Sequence, residues 1–526
     1  MAGHDARAAF IRVLGMWEYF GSGQLFVRWF PDLNWGYGGP VFNFYPPLFY
    51  FIAAAANVVL GHPALAINLT LFFLWWLSGV SMFFFIRNYW GGWAGLVSAV
   101  AYVYVPYHAV DVYTRGAYAE FTAFPLLPLI LLSISKLSQT RRAAWLFMLA
   151  FSVAGLFLAH NATCLMFMPF VLLYGMIVVA RTKVSRLRSG FMVLAGLVLG
   201  SGMAAFFWMP ALLEKAALRT DFLLHGRYDF WKNFLDLSAL FSWPLLPSSS
   251  SANHFDGIDF HIGGWHLMLA AWTILVLTVR PRKWSIVWPA VFFCLMASLA
   301  LFMNLAWSRP VWDKLSLLHF LQFPWRFLVL VSFAISALAG VWLTALPSRK
   351  LKSLSAAFIV VLLVISGMHS VRLPVKEAVS AVPRNTQIFT SLFVGEGEYT
   401  PRWIMRPPAG PALERIALAM GQARVAQVSA PSKVESVFAV QASSPAILVA
   451  NVFYFPGWHV YVDGKDSAIT ADPINGRIVF PVVPGEHRVR IKLELTKVQF
   501  WSIVISWAAL VILLCCVWWF YKKRYA

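Results

Sequence analysis

Apolar runs of about 20 residues dominate this chain, and short polar loops separate them. A helix needs about that length to cross the hydrocarbon core of a bilayer, roughly 30 Å at 1.5 Å per residue. The pattern therefore predicts a polytopic α-helical membrane protein with about eleven spanning helices. These are expected at 64–86, 93–107, 118–136, 144–160, 162–180, 190–210, 263–280, 284–304, 324–346, 353–371 and 499–519.

The apolar segment 46–62 is too short to join this series. A helix of about 15 residues covers only some 22 Å. We interpret the segment as a juxtamembrane helix along the outer interface, which makes residues 1–45 face outward; as a span, it would put them in the cytoplasm. An outward-facing N-terminus also leads us to expect a further transmembrane helix ahead of Met1.

The stretch 372–498 differs in kind, because polar and apolar positions alternate and turn signals recur. ILVANVFYF (447–455) and WHVYV (458–462) have the alternation of strands. Asp463-Gly464 and Asn475-Gly476 fit hairpin turns, since glycine tolerates a positive φ. We predict a β-sandwich domain tethered by helices at both ends. The resulting domains are 1–62 (first loop and juxtamembrane helix), 63–371 (helical core), 372–498 (β-sandwich) and 499–526 (last helix and basic tail).

The distribution of charge predicts the topology. The net charge is +20, and five short basic loops contain none of the 22 Asp and Glu residues. Short basic loops mark the cytoplasmic face, so the acidic loops and the β-domain should lie outside a bacterial cytoplasmic (inner) membrane. Topology and anionic lipid account for much of the positive charge, and we expect no nucleic-acid partner. The basic loops are roughly 136–143, 181–189, 280–283, 347–352 and 520–526.

The first outer segment holds the densest candidate chemistry. Asp5 stands beside His4, and Arg28 begins a Gly-, Pro- and aromatic-rich loop, RWFPDLNWGYGGPVFNFYPPLFY. A carboxylate at a membrane surface can accept a proton from a hydroxyl group. Asp5 is therefore a candidate catalytic base, with His4 and Arg28 as candidate substrate- or phosphate-binding groups. The alternative is that Asp5 is a solvated charge on a frayed terminus.

A second motif, YHAVDVYTRGAYAEF (107–121), places Asp111, Arg115 and Glu120 in one outer loop and the start of the next helix. The helix dipole favours an anion at Glu120, and ionisable residues at membrane depth indicate function. We predict Asp111 and Glu120 as catalytic residues or ligands of a divalent metal such as Mg or Mn, and Arg115 as a phosphate-binding group. The alternative is a surface ion pair between Asp111 and Arg115, worth less than about 1 kcal/mol.

Two later outer segments add weaker candidates. FDGIDFHIGGWH (255–266) carries Asp and His at a spacing that only weakly suggests a metal, and His261 is predicted to contact substrate. Arg326, in LQFPWRF, presents a bidentate fork to a lipid phosphate or anchors its helix at the interface. His160-Asn161, at an outer helix end, is interpreted as a turn between two helices.

Several of these motifs together carry a family resemblance. WFPDLNWGYGGPVFNFYPPLFY, YTRGAYAEF, LQFPWRF and FYFPGWHVYVDGK resemble the YfhO-type bacterial membrane proteins, also named 6-pyruvoyl-tetrahydropterin synthase related. That group is in turn similar to the GT-C glycosyltransferases. By motif, the resemblance makes Asp5 the catalytic carboxylate of the first outer loop and PPLFY the start of a juxtamembrane helix. It implies transfer of a hexosyl or pentosyl group, with inversion, from a polyprenyl-phosphate donor to an envelope glycan or lipid.

Two other functions stay open on the residues alone. A transporter or lipid flippase should show charges near helix midpoints and paired repeats, and the sequence has few such charges and no evident repeat. A non-catalytic assembly or scaffold protein would use the β-domain to bind envelope polymer. Convergence of Asp5, Asp111 and Glu120 would favour the enzyme, and a wide separation would favour the scaffold.

Overall fold

The computed structural model describes residues 4–21, 26–219, 229–241, 254–255, 258–279, 283–370, 399–412 and 414–525. Its helices up to the middle of the chain are α1 (Ala6–Gly21), α2 (Val41–Phe44), α3 (Leu48–Leu60), α4 (Pro63–Trp90), α5 (Gly92–Val103), α6 (Pro106–Ala109), α7 (Tyr118–Ala123), α8 (Leu126–Thr140), α9 (Ala143–Ala159), α10 (Asn161–Ala180), α11 (Arg186–Met203) and α12 (Ala205–Leu213). The later ones are α13 (Leu237–Leu240), α14 (Gly264–Val279), α15 (Trp284–Asn304), α16 (Arg309–Lys314), α17 (Ser316–His319), α18 (Leu328–Leu338), α19 (Arg349–Ser370) and α20 (Lys497–Tyr525).

The prediction of a polytopic helical protein is confirmed, but the number of long spans is lower than predicted. Within the described residues, seven helical segments are long and apolar enough to cross a membrane, or eight if α11 and α12, bent by 68°, form one broken span. The other three predicted spans are the shorter helices α5, α9 and α14. α5 stops at Val103 because the residue before a proline, here Val105, is pushed out of the helical region.

The juxtamembrane segment forms the 13-residue helix α3, which is too short to be a span. It ends at Gly61, whose φ of 61° gives a left-handed cap that few other residues adopt easily. His62 then caps α4 by accepting a hydrogen bond from the Leu65 amide. α3 packs on α1 and α4, so the first segment joins the helical core. Its position relative to the bilayer surface stays a prediction.

Two of the predicted basic loops lie next to each other. The Thr182 hydroxyl donates to the Ser138 carbonyl at 3.2 Å, which joins the first two basic loops. Among the outer loops, Leu218 forms a β-bridge with Pro401 near the start of the C-terminal domain. The direction in which each helix crosses the membrane stays a prediction.

The C-terminal domain is an antiparallel β-sandwich, as predicted. One sheet has the order β3-β6-β10-β9 and the other β4-β5-β11-β7-β8. The predicted Asp463-Gly464 turn, with φ of 50° and 80°, joins β7 to β8. The strands are β1 (His254–Phe255) and β2 (Ile258–Asp259) in a small hairpin before α14, then β3 (Ile416–Met420), β4 (Ala423–Ser432), β5 (Glu435–Ala442), β6 (Ala446–Phe453), β7 (Trp458–Val462), β8 (Lys465–Asp466), β9 (Thr470–Ala471), β10 (Arg477–Val482) and β11 (Gly485–Leu493). Residues 372–398 of the predicted domain lie outside the described residues.

The sandwich packs directly on the first outer segment. Trp29, which is 2% exposed, contacts Phe455 and Trp458 with ring centroids 5.8 and 5.7 Å apart. The Phe453 amide donates to the Tyr37 carbonyl at 2.9 Å. The segment between α1 and α3 is therefore shared by the helical core and the β-domain.

A buried carboxylate–arginine cluster as candidate active site

The loop that follows α5 is built as a single wide turn. α6 continues into π-helical backbone over Val110–Arg115, a local geometry that is frequent at functional sites. Gly116 ends this turn with a φ of 71°, and a Cβ there would lie 2.7 Å from the backbone nitrogen of Ala6. Glycine is therefore required both for the backbone conformation and for the close approach of the N-terminal segment. The turn presents Asp111 and Arg115 toward Glu120, on the first turn of α7.

Arg115 binds both carboxylates. Its Nη1 forms an ion pair with Asp111 and lies 2.9 Å from Glu120 Oε2. The Tyr107 hydroxyl donates to Glu120 Oε1 at 2.8 Å and accepts a hydrogen bond from Arg115 Nη1 at 3.1 Å. Asp111, Arg115 and Glu120 are 0%, 8% and 1% exposed, so the alternative of a surface ion pair is wrong. We call Tyr107, Asp111, Arg115 and Glu120 the Arg115 cluster.

The cluster has two carboxylates for one guanidinium. Burial, and then the negative charge of Glu120, raise the pKa of Asp111 well above its usual range. Burial lowers the pKa of Arg115, but the two carboxylates outweigh that effect and raise it. Asp111 Oδ2 has no hydrogen-bond partner within the described residues. The arrangement therefore favours one proton held on Asp111 and a charged Arg115–Glu120 pair.

Two later segments of the chain cover the cluster. The Arg115 guanidinium carbon lies 4.4 Å from the ring centre of Trp325, and Phe260 stacks on Trp325 at 4.7 Å. These contacts bring the half-buried His261 and Arg326, the neighbours of Phe260 and Trp325, to the same end of the protein. Arg326 donates from Nη1 to the Leu321 carbonyl, and its positive charge acts on Asp111.

His160 also belongs to this site. The sequence pattern predicted only that it lies in a turn between two helices. It does lie in the turn between α9 and α10, where its ring accepts a hydrogen bond from the Thr163 amide at 3.3 Å. Burial lowers the pKa of His160 to about 4, while the nearby Glu120 acts in the opposite direction. The available signal was its position at an outer helix end, on the same side as the 107–121 motif.

The N-terminal segment lies along the open edge of the cluster. The His4 amide donates to the Thr114 carbonyl at 3.0 Å, and the Asp5 amide donates to the Arg115 carbonyl at 2.8 Å. Both side chains are exposed. The structure thus brings the first two sequence motifs together, with one exposed carboxylate beside two buried ones.

Arg28 belongs to a separate network. It donates to the Asn43 side-chain oxygen at 2.9 Å and to the Phe206 carbonyl at 2.7 Å, and burial lowers its pKa to about 10. Asn43 in turn donates to Glu214 Oε2 at 2.7 Å. Glu214 also accepts from Gln499 Nε2 at 3.0 Å and from the Thr496 hydroxyl, both in or just before α20. We call this set the Glu214 network; sequence reasoning missed it because its members are far apart in the chain.

The residues predicted as metal ligands do not fit a divalent cation. Asp111 and Glu120 both contact the Arg115 guanidinium, which takes the position between them that a cation would need. In the part of the chain that the structure describes, no group of three or more His, Cys, Asp or Glu side chains is placed to hold a metal. We derive no step through a metal.

An apolar groove lies between α4, α5 and α19 and has a volume of about 800 Å³. Ala109 and Tyr113, two residues before and after Asp111 in sequence, are among the residues that line it. Its walls include Phe72, Trp75, Gly79, Val103 and Tyr104. A groove of this size and lining is suited to a hydrocarbon chain.

Two comparisons with known proteins agree with one another. The sequence model of a family described as "6-pyruvoyl-tetrahydropterin synthase related domain; membrane protein" matches residues 42–373, more than half of the chain. A protein of Lactococcus lactis subsp. cremoris (strain MG1363), described as uncharacterized, is 24% identical over 243 residues. The aligned part is 44% of this chain and 39% of that relative, so the match spans well under half the relative's length.

Proposed function

The chain belongs to the 6-pyruvoyl-tetrahydropterin synthase related family of membrane proteins, and on that premise we propose that it is a glycosyltransferase of the GT-C type. The donor is a sugar linked to polyprenyl phosphate, and the acceptor is a glycan or lipid of the cell envelope. One observation carries the proposal: the exposed Asp5 is hydrogen-bonded through its backbone to the turn that holds the Arg115 cluster, and Tyr113 of that turn also lines the apolar groove.

In the proposed reaction, Asp5 accepts the proton of an acceptor hydroxyl group. The hydroxyl oxygen forms a bond to the anomeric carbon as the bond between that carbon and the phosphate oxygen breaks. The electron pair of the broken bond leaves with the polyprenyl phosphate. Because negative charge grows on this phosphate, a positioned cation lowers the barrier.

The proposal gives the predicted residues different roles. Arg115 is engaged by two carboxylates, so in this proposal the cluster fixes the turn beneath Asp5 and sets the local field. Arg326 is half-buried and donates one hydrogen bond to a backbone carbonyl, which leaves donors for a phosphate. His4 and His261 are assigned to orienting the acceptor.

The membrane orientation is part of the same proposal. Leu218, in a predicted outer loop, pairs with Pro401 near the start of the sandwich, and the first two basic loops contact each other through Thr182 and Ser138. The positive-inside rule assigns the basic loops to the cytoplasm. The active site and the β-domain then face outward from the inner membrane of a bacterium.

The test is sugar transfer from a labelled polyprenyl-phosphate sugar by the purified protein. Asp5→Asn removes the base without changing the backbone hydrogen bonds, and we expect turnover to fall by about 10²- to 10⁴-fold. Asp111→Asn should lower turnover less, since Asp111 is buried. Asp313→Asn is the matched control, because Asp313 is an exposed carboxylate in α16, 3.5 Å from Arg309. Transfer by Asp5→Asn at the wild-type rate would contradict the role of Asp5.

One observation favours the non-catalytic scaffold as a second candidate. Lys433 of the sandwich pairs with Glu18 at 2.6 Å and with Asp32 at 2.9 Å, so the β-domain is tied to the first outer segment. A scaffold would show no transfer with any polyprenyl-linked sugar while still retaining envelope glycan on immobilised protein. The same purified sample can be used for both measurements.

A further inference from the structure

Arg12 is a buried cation for which the described chain provides no carboxylate. Three arginines in the described residues are less than 10% exposed: Arg12, Arg28 and Arg115. Arg115 pairs with two carboxylates, and Arg28 donates to an amide oxygen and a carbonyl. Arg12, at 6% exposure, forms no ion pair within the described residues.

Aromatic rings surround Arg12 instead. Its guanidinium carbon lies 4.0 Å from the ring centre of Tyr45 and 5.8 Å from that of Tyr50. Nη1 donates one long hydrogen bond, of 3.4 Å, to the Tyr50 hydroxyl, and Nε is buried without a partner. A ring face stabilises the cation but leaves the N–H groups in the guanidinium plane unused.

A buried guanidinium with unused donors is costly unless an anion joins it. Phosphate is the anion that best matches the planar fork of arginine, because two of its oxygens accept two parallel N–H groups. Water would satisfy single donors, but it would not neutralise the charge.

The position of Arg12 in α1 relates it to the proposed reaction. Asp5 and Arg12 are seven residues apart, so they lie on one face of the helix, two turns or about 10 Å along the axis. Helical side chains slant toward the N-terminus, which brings the guanidinium closer to Asp5. The remaining distance is on the order of one sugar ring.

Buried aromatic rings lie between Arg12 and the turn that borders the apolar groove. Tyr118 contacts Phe49 with ring centroids 5.1 Å apart, and Phe49 contacts Tyr50 at 5.5 Å. Tyr113, five residues before Tyr118 in the chain, lines the groove.

From this geometry we infer that Arg12 binds the phosphate of a polyprenyl-phosphate lipid. The inference rests on the proposed function for the identity of the lipid. It adds a phosphate-binding residue to that function and places the phosphate on the face of α1 that carries Asp5.

The experiment measures binding rather than transfer, in nanodiscs of neutral lipid with a fluorescent polyprenyl phosphate that carries no sugar. We expect Arg12→Gln to weaken binding by about 10- to 100-fold, the loss of hydrogen bonds to a charged group. Arg12→Lys keeps the positive charge but not the planar fork of donors, so its affinity for the lipid should lie between those of wild type and Arg12→Gln. The polyprenol without phosphate should bind weakly and equally to all variants. Inorganic phosphate is added as a competitor. If it displaces the lipid when both are at the same concentration, the ligand of Arg12 is free phosphate and the inference is overturned.

Arg309→Gln is the matched control, because Arg309 also lies over an aromatic ring, 3.7 Å from the centre of Trp231, but is exposed. Equal binding by wild type and Arg12→Gln would overturn the inference, whatever the transfer assay shows. Binding that depends on Arg12 without any transfer by wild type would instead contradict the proposed function alone. If Arg12→Gln does not fold, photo-crosslinking of the same lipid to wild type decides: crosslinks to residues 5–12 or 45–50 support the inference, and crosslinks elsewhere overturn it.

Discussion

The Arg115 cluster and the Glu214 network both bury a carboxylate at the same end of the protein, but they satisfy it in opposite ways. In the Arg115 cluster, two carboxylates compete for one guanidinium, and Asp111 Oδ2 is left without a hydrogen-bond partner in the described chain. In the Glu214 network, one carboxylate accepts from three neutral side chains, those of Asn43, Thr496 and Gln499. A buried polar atom without a hydrogen-bond partner is typical of a functional site, and a fully satisfied network is typical of a structural joint.

The two networks also differ in how much of the chain they connect. The Arg115 cluster is local, since all of its members lie between Tyr107 and Glu120. The Glu214 network joins Asn43, before α3, to Gln499 in the last helix. The first can form as soon as one loop folds, whereas the second exists only when both ends of the chain have packed together.

The largest expected effect comes from removing the cation of the Arg115 cluster. Arg115→Met leaves the buried Glu120 without a counter-charge and Asp111 without its hydrogen-bond donor, and we expect the free energy of unfolding to fall by about 3–5 kcal/mol. Thermal unfolding of the detergent-solubilised protein, followed by intrinsic tryptophan fluorescence, measures the change.

The matched control for Arg115→Met is the triple variant Asp111→Asn, Arg115→Met, Glu120→Gln. It removes the guanidinium and both carboxyl groups, so no charge stays buried there and the variant should regain much of the lost stability. A melting temperature for Arg115→Met equal to that of wild type would show that the cluster does not bury its charges as described.

A smaller loss is expected when the acceptor of the Glu214 network is removed. Glu214→Ala leaves the side-chain donors of Asn43, Thr496 and Gln499 without their acceptor, which we expect to cost about 1–3 kcal/mol. Because two of these donors lie at the start of α20, the loss should appear first there, as faster hydrogen exchange at 496–502 measured by mass spectrometry.

Glu214→Gln keeps an acceptor oxygen and is the control for that experiment. Its exchange rates should stay close to those of wild type. If Glu214→Ala leaves exchange at the start of α20 unchanged, the network does not hold the last helix, and the contrast with the Arg115 cluster fails.

The same difference in sequence separation explains which parts of the protein could be predicted. The apolar runs predicted the helices and the alternating stretch predicted the sandwich, because both patterns are local. The acids and the arginine of the Arg115 cluster were predicted for the same reason. Arg28 was grouped with them by charge alone, but its partners, Asn43 and the Phe206 carbonyl, are set by how α2 and α12 pack. Arg12 gave no signal at all, since a buried cation cannot be recognised until its surroundings are known.

The last expected effect is a pH dependence that arises from the Arg115 cluster. The pKa of Asp111 is raised in the folded protein by burial and by Glu120, whereas the unfolded chain should have the ordinary value of about 4. Above that value the folded state holds a proton that the unfolded state has lost, so Asp111 makes stability fall as the pH rises, by at most about 1.4 kcal/mol per pH unit. Asn cannot titrate, so the melting temperature of wild type should fall relative to that of Asp111→Asn between pH 5 and pH 9. Every other ionisable residue, His160 included, is present in both proteins, so its contribution cancels in the difference. Glu214→Gln provides the comparison with the Glu214 network. If the curves of melting temperature against pH are parallel for wild type and Asp111→Asn, Asp111 is ionised beside Arg115 like an ordinary buried ion pair.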